Sequence, residues 1–109
     1  MSSAIHEITP TELKTELAGN DAPTLVDVRE KDELAISSIP GAKWIPMNEI
    51  IDRRKELDPN GKIVVICRSG ARSANVTAFL RRAGFKNVRN LVTGVNGWAK
   101  DVDPSQPVY

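Results

Sequence analysis

The single cysteine of the sequence, Cys67, is followed directly by residues that favour an ionised thiol. Arg68 and Arg72 place permanent positive charges on both sides of Gly70. Glycine lets the backbone curl so that several N–H groups converge on one point and bind an anion. A free thiol has a pKa of about 8.5, and nearby cations or a helix N-terminus lower it to about 3.5–7.5. The loop therefore predicts a reactive thiolate.

Two regular elements are expected on either side of this loop. The β-branched run at residues 63–66 is typical of a buried parallel strand, and the pattern over residues 73–83 is typical of a helix closed by Gly84. Cys67 then lies at the carboxyl end of a strand, where open α/β sheets bind ligands. The alternative is a buried cysteine that only ends a strand, and the flanking arginines weigh against it.

The rest of the chain alternates strands with helices. Thr9-Pro10-Thr11-Glu12 is typical of a capped helix start. Strands are expected at residues 5–8, 24–28, 42–45 and 87–90, and helices at residues 30–36 and 47–57. Residues 93–97 are expected to form a loop before a short helix that carries Trp98. This alternation predicts an α/β fold with about five mainly parallel strands and helices on both faces.

Length and composition set limits on the class of protein. The 109 residues suit one domain over residues 1–109, with an extended tail at residues 102–109. The net charge of +1 gives no general reason to expect binding to nucleic acid, and no apolar stretch is long enough for a membrane span. One cysteine excludes an internal disulfide and a multi-thiol zinc site. A single unpaired thiol and the lack of a recognisable secretory signal predict a cytoplasmic protein.

Four stretches, in the expected order, resemble the rhodanese family of sulfurtransferases. The loop Cys-Arg-Ser-Gly-Ala-Arg-Ser at residues 67–73 is similar to the family's active-site loop. Residues 25–30 resemble its first core strand with an Asp-x-Arg ending, residues 39–46 its I-P-G-A-x-x-I-P segment, and residues 84–98 its closing block. The resemblance covers nearly the whole chain, from Ile8 to Trp98. It implies a three-layer rhodanese-like sandwich.

The resemblance also implies a thiosulfate sulfurtransferase that works through a covalent intermediate. The Cys67 thiolate takes the sulfane sulfur of thiosulfate or of a persulfide donor and holds it as a persulfide. Cyanide or a thiol then removes this sulfur, and loop N–H groups stabilise its negative charge in between. The implied partners are a small anionic sulfur donor and a thiol or cyanide acceptor, with a sulfur-carrier protein as one candidate. Neither a metal nor an organic cofactor is required.

The other candidate site residues fall into two groups. The substrate-binding group follows the cysteine and consists of Arg68, Ser69, Gly70, Ala71, Arg72 and Ser73. By resemblance Arg72 is a ligand for the anionic substrate, whereas Arg68 either binds thiosulfate or is a solvated loop residue, and Ser73 is interpreted as a helix cap. Asp27 and Arg29 form the supporting group. We expect them to hold the loop through an ion pair or hydrogen bonds rather than to contact the substrate.

Two departures from the family pattern are present. Ser37-Ser38 replaces the usual Gly-His, and the closing block has Gly94-Val-Asn-Gly97 where the family often has Gly-Gly before the tryptophan. The second alters a loop that is expected to border the active site, but neither touches the nucleophile. We therefore expect them to affect substrate choice and stability more than the chemistry.

Other functions on the same fold remain open at this stage. Cysteine phosphatases and arsenate reductases resemble a Cys-x5-Arg loop, whereas Cys67-x4-Arg72 is one residue shorter and suits a single sulfur atom better. Non-catalytic rhodanese modules typically lose the cysteine that this chain keeps. A sulfur relay or binding module for cofactor or tRNA thiolation is a further alternative, because the Pro-x-Tyr ending resembles rhodanese domains fused to sulfur-carrier-activating enzymes.

Overall fold

A five-stranded parallel sheet forms the centre of the molecule. The computed structural model describes residues 6–109, and residue 5 of the predicted edge strand lies outside them. The strands are β1 (Glu7–Ile8), β2 (Thr24–Asp27), β3 (Lys43–Trp44), β4 (Lys62–Ile66) and β5 (Asn87–Leu91). Their order in the sheet is β1-β5-β4-β2-β3, and every neighbouring pair is parallel. The predicted α/β architecture is confirmed.

The helices cover both faces of this sheet, because its buried strands are apolar on both sides. They are α1 (Pro10–Leu17), α2 (Ile50–Arg53), α3 (Ala71–Arg82) and α4 (Gly94–Asp101), with 3₁₀ turns at Lys31–Ala35, Met47–Glu49 and Arg54–Glu56. Ile63 and Val65 of β4 pack in one core cluster with Leu80 of α3. Val64 and Ile66 belong to the other, together with Leu13, Val95 and Trp98 from α1 and α4. None of the helices within residues 6–109 is long and apolar enough to cross a membrane.

The bounds of three helices differ from the sequence expectations by two residues or more, whereas β2, β3 and β5 differ by a single residue at one or both ends. Residues 47–57 do not form one helix: two 3₁₀ turns flank the short helix α2, and Leu57 then adopts an extended backbone and enters the core. Helix α3 begins at Ala71 rather than Ser73, since Gly70 takes a left-handed conformation (φ +104°) at its N-cap. Helix α4 begins at Gly94 instead of after Gly97. The expected capping box at Thr9 and Glu12 is present.

Candidate active site

The alternation of β4 determines where the thiol points. Side chains alternate between the two faces of a strand, so Ile63, Val65 and Cys67 share the face covered by α3. Cys67 directly follows the strand and is only 1% exposed. The sulfur therefore lies beneath the first turn of α3, at the carboxyl edge of the sheet.

Three donors or potential donors surround the sulfur of Cys67. The backbone N–H groups of Gly70 and Ser73 lie 3.1 and 3.4 Å from Sγ, and the hydroxyl of Ser73 lies 3.2 Å from it. Burial on its own raises the pKa of the Cys67 thiol, but the Ser73 hydroxyl and the N–H groups of Ser73, Gly70 and Ser69 outweigh it, so that this pKa is below its ordinary value. The loop is thus an anion-binding nest centred on the sulfur.

Asn90 of β5 fixes this nest from behind. Its side-chain amide donates to the carbonyl of Gly70 at 3.1 Å, and its side-chain oxygen accepts a hydrogen bond from the hydroxyl of Ser73. The interpretation of Ser73 as a helix cap is wrong, because Gly70 occupies the N-cap position and Ser73 lies fully buried within the first turn of α3. Sequence reasoning missed Asn90, since β5 also contains Asn87 and Arg89 and nothing in its sequence singles out one polar residue.

The beginning of α4 holds the other side of the loop. The N–H of Val95 donates to the carbonyl of Cys67 at 2.9 Å, and the N–H of Asn96 donates to that of Arg68 at 3.1 Å. Gly94 has φ +58°, and a Cβ atom there would overlap the backbone of Cys67 and Arg68. The altered closing block therefore keeps a glycine where the two loops come closest.

Asp27 and Arg29 form a buried ion pair at the end of β2. The Nη2 atom of Arg29 lies 2.8 Å from Oδ2 of Asp27, and both side chains are nearly inaccessible. Arg29 also donates to the carbonyl of Ser37 at 2.7 Å and to the hydroxyl of Tyr109 at 2.9 Å. The Ser37 hydroxyl, in the segment that departs from the family's Gly-His, lies 3.5 Å from Nη1 of the same guanidinium. The pair thus ties the end of β2 to two distant segments.

The two loop arginines are held by groups that the sequence analysis did not select. Arg72 makes two parallel hydrogen bonds of 2.7 and 2.8 Å to the carboxylate of Glu33. Arg68 donates to the backbone oxygen of Tyr109, and its guanidinium lies 4.9 Å from the centre of the Tyr109 ring. We call Glu33, Arg68, Arg72 and Tyr109 the arginine cluster.

Comparisons with known proteins agree with this geometry. A model of the rhodanese-like domain family matches residues 9–101. The chain belongs to the rhodanese-like family. The putative sulfurtransferase YtwF of Bacillus subtilis is 39% identical over 100 residues, which are 92% of this chain and 96% of that protein.

Two further relatives define how far the similarity extends. YrkF, a putative sulfur carrier protein of Bacillus subtilis, is 36% identical over 97 residues, and the match covers 89% of this chain. The rhodanese-like chain spans about half, 52%, of that relative's length. A rhodanese-like domain protein from Staphylococcus aureus has a crystal structure with a TM-score of 0.81 and 33% identity, covering 94% of this chain and 97% of that one.

The remaining candidates of this rhodanese-like chain occupy the rim of the loop. Arg68, Ser69 and Ala71 are exposed, whereas Gly70 is buried and Arg72 is partly buried. Ser69 acts on the sulfur through its backbone N–H. The structure thus brings Cys67, Gly70 and Ser73 together, and leaves the side chains of Ser69 and Ala71 directed away from them as part of the surface.

Proposed function

We propose that this chain is a sulfurtransferase that carries a sulfane sulfur on Cys67. The observation that supports this most directly is the set of donors around Sγ, at 3.1–3.4 Å. Such a nest stabilises a thiolate, and after transfer it suits the negative charge on the outer sulfur of a persulfide. The relatives named as a sulfurtransferase and a sulfur carrier point to the same chemistry.

The reaction has two balanced displacements. The Cys67 thiolate attacks the sulfane sulfur of thiosulfate, an S–S bond forms at Cys67, and the S–S bond of the donor breaks to release sulfite with its electron pair. Cyanide, or the thiolate of an acceptor, then attacks the outer sulfur of the persulfide. This restores the Cys67 thiolate and yields thiocyanate or an acceptor persulfide. The sulfur atom is transferred at both steps without any external oxidant or reductant.

The roles of the site residues follow from their positions. Gly70 and Ser73 supply donors to the sulfur, and Asp27 with Arg29 supports the loop through the buried ion pair. Arg68 and Arg72 provide positive charge for an anionic donor. A reducing compartment such as the cytoplasm would keep the unpaired thiol active.

A sulfur relay to a carrier protein is the second candidate function. The relative named as a putative sulfur carrier protein favours this function. That relative contains a domain that matches this chain and about as much further sequence. The acceptor in that case is a thiol on a protein partner, whose thiolate attacks the outer sulfur of the persulfide in place of cyanide. The step at Cys67 is the same, so the two candidates differ only in the acceptor.

The test is a comparison of the wild type with Cys67→Ser. With thiosulfate and cyanide, we expect the wild type to produce thiocyanate and Cys67→Ser to produce none. The serine hydroxyl stays protonated at neutral pH and cannot replace the thiolate as the nucleophile. Thiosulfate alone should add the mass of a single sulfur atom to the wild type. Thermal unfolding checks that the variant keeps the fold. A folded wild type that gains no sulfur from thiosulfate or from an alkyl persulfide would contradict the proposal.

A further inference from the structure

Both arginines of the loop already have protein partners in the structure. Glu33 binds Arg72 through two short hydrogen bonds, and Tyr109 holds Arg68 through its backbone oxygen and its ring. An arginine face over an aromatic ring is an attractive contact in its own right. A small anionic donor therefore meets two guanidinium groups that already form hydrogen bonds within the protein.

Glu33 is held in place from three sides. Its Oε2 accepts from the N–H of Glu30 at 2.9 Å, and its Oε1 accepts from the hydroxyl of Tyr109 at 2.8 Å, in addition to the two bonds from Arg72. The hydrogen bond from Arg72 comes first among the causes that lower the pKa of Glu33 to about 2. The carboxylate thus remains charged throughout the physiological range.

Tyr109 is equally well fixed. Its hydroxyl accepts from Arg29 at 2.9 Å, its N–H donates to the side-chain oxygen of Asn96 at 3.1 Å, and its backbone oxygen accepts from the side-chain amide of Asn96 at 3.0 Å. Asn96 lies in α4, whose N-terminus also holds the cysteine loop. The ring is therefore positioned relative to the reacting sulfur by the same elements that position the loop.

The charges around the sulfur nearly cancel. Asp27 neutralises Arg29, and Glu33 neutralises Arg72, so Arg68 is the only net positive charge among these five side chains. The sulfur also interacts electrostatically with Arg72. The hydrogen bonds to Glu33 are the main cause that raises the pKa of Arg72, and the negative charge of the Cys67 thiolate raises it further. A carboxylate this close to Arg72 repels a second anion that approaches the same guanidinium.

We propose that Glu33 determines which sulfur donors react with Cys67, by discriminating against small dianions, and that Tyr109 is the residue that positions Glu33 for this role. Arg72 is available to thiosulfate only in competition with the Glu33 carboxylate. A donor without a full negative charge beside its sulfane sulfur does not face this competition. The choice among sulfur donors rests on the proposed function. The repulsion of anions by Glu33 does not, and it can be tested on the Cys67 thiol without any sulfur transfer.

The first experiment uses two alkylating reagents of similar size and different charge. Iodoacetate is an anion and iodoacetamide is neutral, so the ratio of their rates with Cys67 reports the charge environment of the sulfur without any sulfur transfer. We expect Glu33→Gln to raise the iodoacetate-to-iodoacetamide ratio by about fivefold at low salt, and by less at high salt, because salt screens charges. Asp32→Asn removes the same charge from the exposed neighbouring position and should leave the ratio nearly unchanged.

Tyr109→Phe provides a second variant that retains every charge. It keeps the ring over Arg68 but removes the hydroxyl that bonds Glu33 and Arg29. We expect the ratio to rise in this variant too, by less than in Glu33→Gln, because the carboxylate is then less firmly held. An unchanged ratio in both folded variants would overturn the proposal. A rise of the alkylation ratio in Asp32→Asn as large as that in Glu33→Gln would also overturn the proposal. The ratio would then report only the net charge of the protein and not the position of Glu33.

The second experiment measures sulfur transfer from thiosulfate. Glu33→Gln should lower the KM for thiosulfate several-fold with little change in kcat. Substitution of a residue that only stabilises the fold would not lower KM while leaving kcat unchanged. If the alkylation ratio rises in the variant but neither protein transfers sulfur, the electrostatic inference stands and the proposed function fails. If both proteins transfer sulfur with the same KM and the same alkylation ratio, the function stands and this inference fails.

Discussion

The hydroxyl of Ser73 has one proton and two neighbours that compete for it. The carbonyl of Gly70 only accepts hydrogen bonds, so the amide nitrogen of Asn90 must face it and the amide oxygen must face Ser73. Ser73 then donates to Asn90, and the Cys67 thiol in its protonated form donates to the oxygen of Ser73. When Cys67 ionises, the sulfur can only accept, so the Ser73 hydroxyl forms a hydrogen bond with it only by turning its proton from Asn90 to the sulfur.

This proton switch leads to a prediction for Ser73→Ala. Loss of the hydroxyl removes the first of the groups that lower the pKa of Cys67. A hydrogen bond to a charged group contributes about 1.5–3 kcal/mol, so the apparent pKa of Cys67 should rise measurably in the variant. The pH dependence of Cys67 alkylation by iodoacetamide measures it.

Ser69→Ala is the matched control for this measurement. It removes the same hydroxyl from the same loop but keeps the backbone N–H through which Ser69 acts on the sulfur. Its pH profile should therefore coincide with that of the wild type. Equal profiles for Ser73→Ala and the wild type would show that the backbone donors alone set the pKa of the thiol.

At the scale of the elements, the loop is held between the beginnings of two helices. The first turn of α3 points N–H groups at the sulfur, while the first turn of α4 binds the carbonyl oxygens of Cys67 and Arg68. Gly94 allows this second contact, because it has a left-handed backbone and no Cβ atom to overlap the loop. The free N–H groups of the N-terminus of α4 are satisfied here by the carbonyl oxygens of the cysteine loop.

Gly94→Ala should consequently destabilise the protein strongly. The left-handed backbone alone costs a non-glycine residue about 1–2 kcal/mol, and the overlap with Cys67 and Arg68 adds to this cost. Urea denaturation measures the free energy of unfolding. Gly84→Ala is the comparison, because Gly84 also has a positive φ (+99°) but no atom within 4 Å of its would-be Cβ. If the two variants lost equal stability, the close approach at Gly94 would have no energetic role.

The order of elements was predictable from the sequence, but their exact bounds were not. The apolar run of β4 and the loop motif are local in sequence, so they placed Cys67 at the end of a central strand. The start of α3 was wrong by two residues, since the left-handed conformation of Gly70 became visible only in the structure. The single helix expected at residues 47–57 was wrong, since its apolar spacing did not distinguish a continuous α-helix from the 3₁₀ and α segments that precede the buried Leu57.

At the scale of the whole molecule, the parts of the site that sequence reasoning missed are those with distant partners. Glu33 lies 39 residues from Arg72 and 76 residues from Tyr109, and Asn90 lies 17 residues from Ser73. Periodicity and motifs report only on neighbours along the chain. The tail was expected to be extended, and nothing in its composition indicated that Tyr109 reaches back to the cysteine loop.

Arg29 joins these distant parts into one unit. It binds Asp27 at the end of β2, the carbonyl of Glu33 at 3.3 Å, the carbonyl of Ser37 and the hydroxyl of Tyr109. Loss of one partner from a buried ion pair costs about 3–5 kcal/mol, because the other charge is left buried alone. The same buried guanidinium therefore supports both the stability of the fold and the placement of the arginine cluster.

The Glu33–Arg72 pair also contributes to stability in a way that depends on pH. The pKa of Glu33 is about 2 in the folded protein, with Arg72 as the first cause, compared with an ordinary value of 4.5. Because the folded-state pKa is the lower one, the contribution is fully present above pH 4.5 and is lost as the pH falls towards 2. We expect the wild type to exceed Glu33→Gln by about 1–2 kcal/mol of unfolding free energy at pH 6, after allowance for partial exposure of the pair.

This difference should shrink steadily below pH 4.5 and become small near pH 2, where about half of the wild-type carboxyl groups are protonated. Urea unfolding at a series of pH values measures it, with Asp32→Asn as the variant that loses an exposed charge from the same turn. A difference that stayed constant down to pH 2 would mean that glutamine disturbs the packing and that the charge of Glu33 adds nothing. The expected pH dependence would instead show that the carboxylate proposed to screen incoming donors also stabilises the folded protein through its charge.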